Sequence, residues 1–146
     1  MKFHRSECAN IVSTSLIPLL ERYRILTFVG PLGAGKTTLI KELLRQCGVK
    51  ETVTSPTFGY FNMYQGEHER VFYHFDLYRI TTIHEFLQAG FDEYLHQDAV
   101  ILIEWPDVID HLLKERELKK SVRRISLALD STDQEQRILH ISPQNA

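Results

Sequence analysis

The stretch Gly30-Pro31-Leu32-Gly33-Ala34-Gly35-Lys36-Thr37 constrains this chain more than any other feature. It reads G-x-x-x-x-G-K-[ST], and that pattern has a mechanical reason. Glycines let successive backbone N–H groups turn inward around phosphate oxygens, and the helix that follows points its positive end at the same anion. Lys36 is placed to reach β- and γ-phosphates, and the Thr37 hydroxyl to coordinate Mg2+. Leu32, Gly33, Ala34, Gly35, Lys36, Thr37 and Thr38 are thus the candidate nucleotide-binding residues. Pro31 lacks an N–H but precedes the main cradle. The flanks agree with this reading. Ile25–Val29 is a short apolar run rich in β-branched and aromatic residues, as in a buried parallel strand. Thr37–Gln46 places Leu39, Ile40, Leu43 and Leu44 on one helical stripe, with Gly48 as its stop.

The rest of the chain alternates strand and helix signals. Val53–Phe58 contains Ser-Pro-Thr, which favours an extended or turn conformation. Tyr60–Tyr64 and Val71–Asp76 read as strands joined by a hairpin-like connection at Gln65-Gly66-Glu67. Thr82–Ala89 reads as a short helix closed by Gly90, and Ala99–Ile103 as a second buried strand. Asp107–Leu118 reads as a helix starting near Pro106. Val122–Leu129 and Gln136–Ile141 read as late strands. Glu7–Glu21 has helical spacing, with a stop or kink expected at Pro18. The expected fold is α/β: a single P-loop NTPase domain over residues 1–146, with a mixed, largely parallel central sheet flanked by helices.

Composition excludes several functions. With 17 basic and 19 acidic residues the formal net charge is −2, which argues against a general electrostatic grip on nucleic acid. Lys119-Lys120 and Arg123-Arg124 offer at most a local basic patch. Cys8 and Cys47 lack metal-ligand spacing and read as reduced, cytosolic thiols. The seven histidines show no zinc spacing. Met1–Asn10 is polar, so no leader is expected. No apolar run approaches the ~20 residues of a membrane span. A cytoplasmic protein without a membrane partner is expected.

A P-loop needs an acid at the end of a neighbouring strand to hold the metal or its waters. Glu104, after Val100-Ile101-Leu102-Ile103, and Asp76, after Val71-Phe72-Tyr73-His74-Phe75, both qualify. Either could instead be a surface carboxylate or helix cap. Thr54, Ser55 and Thr57 form either a γ-phosphate sensor or a plain polar turn. His74, between Tyr73 and Phe75, reads as a hydrogen-bonded structural histidine rather than a base. Trp105 reads as core by default, with a base-stacking platform or a partner anchor as the alternatives.

Four stretches together resemble the TsaE family, small bacterial ATPases needed for the threonylcarbamoyl modification of adenosine in tRNA. They are Gly33-Ala34-Gly35-Lys36-Thr37-Thr38, Ser55-Pro56-Thr57-Phe58, His74-Phe75-Asp76-Leu77-Tyr78-Arg79 and Ile103-Glu104-Trp105-Pro106. The first pattern alone is shared by many NTPases, whereas the combination is specific. The resemblance runs from about Arg24 to Pro106. It implies ATP and Mg2+ as ligands. Lys36 and Thr37 would sit on phosphate and metal, Glu104 on the metal, and Asp76 near the metal or the attacking water. Ser55 and Thr57 would belong to a switch-like loop. Lys36, Asp76 and Glu104 are thereby the candidate catalytic residues, and Thr37, Glu104 and Asp76 the candidate metal ligands. It also implies TsaD and TsaB as partners, with tRNA met only through their complex, which the ATPase resets between cycles. Pro31 departs from the family's usual aspartate. The first helix lacks the threonine that contributes to the adenine site, with Ser6 and Glu7 as the nearest polar substitutes.

Three rival readings are weighed. A small-molecule kinase would need an Arg-rich lid, and none is evident after Pro106. A GTPase would carry an Asn-Lys-x-Asp stretch, which this chain lacks. The serious rival is a nucleotide-gated binding module in which Asp76 and Glu104 hold the metal without turnover.

Overall fold

The computed structural model describes residues 1–56 and 60–143. Seven strands form one mixed sheet: β1 Lys2–His4, β2 Ile25–Val29, β3 Phe61–Gln65, β4 Val71–Asp76, β5 Val100–Glu104, β6 Val122–Leu129 and β7 Gln136–Pro143. Their order is β1-β7-β6-β2-β5-β4-β3. The central strands β6, β2, β5 and β4 are mutually parallel. Antiparallel partners close both sides, β7 and then β1 on one edge and β3 on the other. The parallel character expected of the sheet therefore resides in its middle four strands.

Side-chain alternation divides the core into two layers. Leu26 and Phe28 of β2, and Val100 and Leu102 of β5, meet Leu39, Ile40, Leu43 and Leu44 on one face. Those four leucine and isoleucine side chains belong to α2, Lys36–Gln46. Ile25, Ile101 and Ile103 point to the opposite face, with Phe75, Phe86 and Phe91. Phe28, Phe72, Phe75 and Phe86 are fully buried, each worth about 1.5–3 kcal/mol over exposure. The parity that buries Phe72 also carries His74 and Asp76 to the α2 face, beside Glu104 of β5, whose partner in register is Asp76.

The N-terminal helical run is not a kinked α-helix. It starts as α1, Cys8–Ile11, widens into a π-turn over Val12–Leu16, then tightens to a 3-10 turn over Ile17–Glu21. Pro18 has no N–H to continue an α ladder. Ahead of it the Ile17 N–H reaches back to the Val12 carbonyl, while the Ser13 and Thr14 hydroxyls both donate to Asn10 O. β1, not expected from the sequence, precedes this run and pairs with β7. Three residues carry too little alternation to read as a strand.

The expected helix Asp107–Leu118 is much shorter. A 3-10 turn at Pro106–Ile109 leads into α4, Asp110–Leu113, and the chain then turns so that Leu118 enters the core. Helix spacing would keep the charged stretch after Leu113 regular, yet Glu115 N–H already bonds Leu112 O in a tighter turn. α3, Ile83–Gln88, forms as expected, capped by the Thr82 hydroxyl, which accepts from Glu85 N–H.

Asp130, just beyond β6, ties down the short first strand. Lys2 Nζ lies 2.6 Å from its Oδ2, and the Thr132 N–H and hydroxyl donate to its Oδ1 at 2.8 and 2.7 Å. Lys2 first, then Thr132, hold this carboxyl well below the ordinary value of 3.8. A depressed acid stabilises the folded state above its unfolded value, and the stability is lost as pH falls through the folded value. Asp130→Asn accordingly lowers the melting temperature at pH 7. In thermal melts across pH, the gap from wild type narrows once pH drops below 3.8.

Candidate functional site

β2 ends at Val29 and α2 begins at Lys36, so residues 30–35 make the loop between them. Gly30 has φ +146°, and a Cβ there would drive into the Leu127 carbonyl oxygen of neighbouring β6. Gly33 and Gly35 have φ +78° and +100° with no atom within 4 Å of a Cβ. These two are needed for backbone conformation, not for room. Gly35 sits at the N-cap of α2, so the loop hands the helix end directly to the space in front of it.

That space is a cavity of about 700 Å3, a size suited to a small-molecule ligand. Every residue from Leu32 to Thr38 lines it, as do Asp76, Glu104 and Trp105. The predicted phosphate residues and both predicted carboxylates are thus brought together. Ser55 is exposed and off the cavity wall, and Thr57 lies outside the described residues.

Lys36 is buried, its Nζ donating to Gly30 O at 2.6 Å and to Pro31 O at 2.9 Å. The same ammonium stands 4.2 Å from the Trp105 ring centroid. Burial pushes this ammonium below its ordinary value, against the opposing pull of Glu104 and Asp76. Trp105 is not plain core. It adopts a left-handed backbone at φ 56°, a conformation that costs a non-glycine residue about 1–3 kcal/mol and is common where a site is held in shape. Its ring is also packed 4.9 Å from that of Tyr78.

The floor of the cavity is a hydrogen-bonded row. The Thr37 hydroxyl donates to Glu104 Oε1 at 2.7 Å. Glu104 Oε2 lies 2.7 Å from His74 Nε2. Asp76, at the end of β4, accepts the Tyr78 N–H at 3.0 Å. Burial raises its carboxyl, and nearby Glu104 raises it further, while the Tyr78 N–H, His74 and Lys36 pull it down. Among the described residues no three His, Cys, Asp or Glu side chains converge on one point. A hydroxyl with two carboxylates beside a phosphate cradle nevertheless fits Mg2+, which takes few protein oxygens and completes its shell with water and phosphate.

The opposite wall was legible in the sequence only at Ser6 and Glu7, through the family resemblance. Phe3, His4 and Ser6 reach it from the N-terminus, and Glu135 and Arg137 from around β7. Ser6, one of the two substitutes named above, lines the cavity, whereas Glu7 turns away to accept the His4 N–H. Arg137 is buried, and its Nε donates to Ala34 O at 3.1 Å, bracing the phosphate loop. Its signal was present: Arg137 shares the inward face of an alternating strand with Leu139 and Ile141, where an arginine needs buried partners.

The profile of the protein family described as "Threonylcarbamoyl adenosine biosynthesis protein TsaE" matches residues 4–139. A protein of that name from Rickettsia typhi is 41% identical over 85 residues, which is 58% of each chain. The matched part therefore spans little more than half the length of that relative. One from Treponema pallidum is 34% identical over 105 residues, 72% of this chain and 76% of its own. The crystal structure of Bacillus subtilis YdiB superposes with a TM-score of 0.69 at 26% identity, covering 99% of this chain and 86% of that one.

The contrast between the glycines is measurable. Gly33→Ala carries a left-handed penalty of about 1–2 kcal/mol, whereas Gly30→Ala adds the collision with Leu127. Urea denaturation should show Gly30→Ala as clearly the more destabilised of the two.

Proposed function

The chain belongs to the TsaE family of threonylcarbamoyl adenosine biosynthesis proteins, and on that premise we propose that it is a Mg2+-dependent ATPase serving that modification of tRNA. The observation that carries the reading is the Thr37–Glu104 hydrogen bond at 2.7 Å. It sets a magnesium-type donor pair against the phosphate loop, on the floor of a cavity of nucleotide size. In this reading Leu32 to Thr38 cradle the phosphates of ATP through backbone N–H groups and the α2 end. Lys36 leaves the loop carbonyls for the β- and γ-phosphates. Thr37, Glu104 and Asp76 hold the metal or its waters. Bound Mg2+ would neutralise phosphate charge as the γ-phosphoryl group is transferred to water. Asp76, half-buried at the cavity rim, orients that water. The wall of Phe3, His4 and Ser6 receives the base, and Ser55 and Thr57 belong to a loop that responds to the γ-phosphate. Hydrolysis would reset a TsaB–TsaD complex in the cytoplasm, with tRNA engaged through that complex.

One observation favours a slower, gated version of the same site. Lys36 rests on Gly30 O, Pro31 O and the Trp105 ring, so nucleotide must draw it off all three. A nucleotide-gated binding module with negligible turnover is the second reading.

Hydrolysis of ATP by the purified chain, alone and with TsaB–TsaD and tRNA, separates the two. The expected result is strong stimulation by the partners. Asp76→Ala should lower the stimulated rate by about 100-fold or more while sparing most nucleotide binding, and undiminished turnover would remove Asp76 from the chemistry. Lys36→Ala should abolish binding. Trp105 is the only tryptophan in the chain and lines the cavity with Lys36 over its ring, so its emission reports on changes at the site. Adding ATP should change that emission saturably in wild type. Calorimetric binding with no change in emission would show that Lys36 stays on the ring.

A further inference from the structure

His74 is fully buried, with 0% of its surface exposed, and is not among the residues lining the cavity. It can therefore touch neither nucleotide nor metal. Among the described residues its one polar contact is Glu104: Nε2 lies 2.7 Å from Oε2, while Nδ1 is buried with no hydrogen-bond partner among them. That asymmetry selects the tautomer. A proton on Nδ1 would leave a buried donor unpaired and set a lone pair against the carboxylate, whereas a proton on Nε2 donates to Glu104 and leaves only an acceptor unpaired. Glu104 then has both oxygens assigned. Oε2 is held from behind by β4, and Oε1 faces the Thr37 hydroxyl and the cavity.

We infer that His74 is a positioning residue: by donating Nε2–H to Glu104 Oε2 it fixes the carboxylate plane so that Oε1 and the Thr37 hydroxyl are presented together to a divalent cation. A carboxylate tethered through one oxygen only can swing about its terminal torsion. The cation beside it is Lys36, whose ammonium is electrostatically coupled to Glu104. Without His74, Glu104 turns toward that ammonium and away from the metal position. The cross-strand geometry makes the tether stiff. Asp76 stands opposite Glu104 in the parallel β4–β5 register, so His74, two residues earlier, reaches Glu104 on the diagonal from within a fully paired strand. Partners of this kind, one bond behind a metal ligand, orient it and sharpen its affinity.

The inference rests on the Mg2+-nucleotide reading above, and the experiment distinguishes the two. Mn2+ affinity of the ADP complex is measured by electron paramagnetic resonance, and ADP affinity in EDTA by calorimetry, for wild type, His74→Phe and His74→Gln. Phe keeps most of the ring volume without the N–H, and Gln keeps a donor near the position of Nε2. His74→Phe should lose about 10–100-fold in Mn2+ affinity with metal-free ADP affinity unchanged, and His74→Gln should recover most of the loss. If His74→Phe fails to fold, His74→Asn, whose amide is too short to reach Glu104, is compared with His74→Gln instead. Wild-type Mn2+ affinity in the donor-less variant overturns the inference. So does an equal loss with and without metal, which is the mark of a merely structural histidine, or a failure of Gln to restore binding. A wild-type chain that binds ADP without any metal dependence overturns the Mg2+-nucleotide reading itself, and this inference with it.

Discussion

The hydroxyl of Thr37, the carboxylate of Glu104 and the imidazole of His74 form one row of hydrogen bonds across three elements. α2, β5 and β4 are each anchored in the site by one member. Buried polar groups are costly unless paired, and here the pairing is also what aligns the helix end with the sheet. Glu104 is buried and is tolerated because it accepts from both sides. The row thus couples fold and site: the sheet order β2-β5-β4 places the donors, and the site supplies their partners. Whatever enters the cavity meets this row already formed, so the rearrangement proposed for Lys36 does not have to extend to it.

Much of this was legible in the sequence. The glycine-rich loop and the buried parallel strands β2 and β5 follow from periodicity and from the physics of the glycine-rich turn, and the two acids named beside the loop end β4 and β5. Asp76 and Glu104 do stand at the C-terminal ends of neighbouring parallel strands, the edge where ligands bind in open α/β sheets. His74 was read as a hydrogen-bonded histidine, and it is one; what alternation could not supply was its partner. A diagonal neighbour depends on register, and register between β4 and β5 is fixed by contacts some thirty residues apart.

Apart from Ser6, the other wall was illegible for related reasons, and so were two segments away from the cavity. β1 is three residues long and pairs with the last described strand, so no local window contains its cause. The π-turn at Val12–Leu16 lies ahead of a proline and contains two hydroxyls that donate back to Asn10 O, a combination that helical spacing does not encode. In Asp107–Leu118 charged residues with good helix propensity mask a turn that buries Leu118. Tertiary packing overrode local preference in each case.

Arg137 and Ala34 are bonded across 103 positions of the chain. During synthesis the phosphate loop leaves the ribosome long before the strand that braces it. The loop's own residues are all present early, yet the wall opposite them exists only once β7 has paired with β6 and β1. A nascent chain therefore carries the whole glycine-rich motif before the cavity has its second wall. Capture of a ligand that needs both walls would wait for β7, and any stabilisation it conferred would act on the fold with β7 in place.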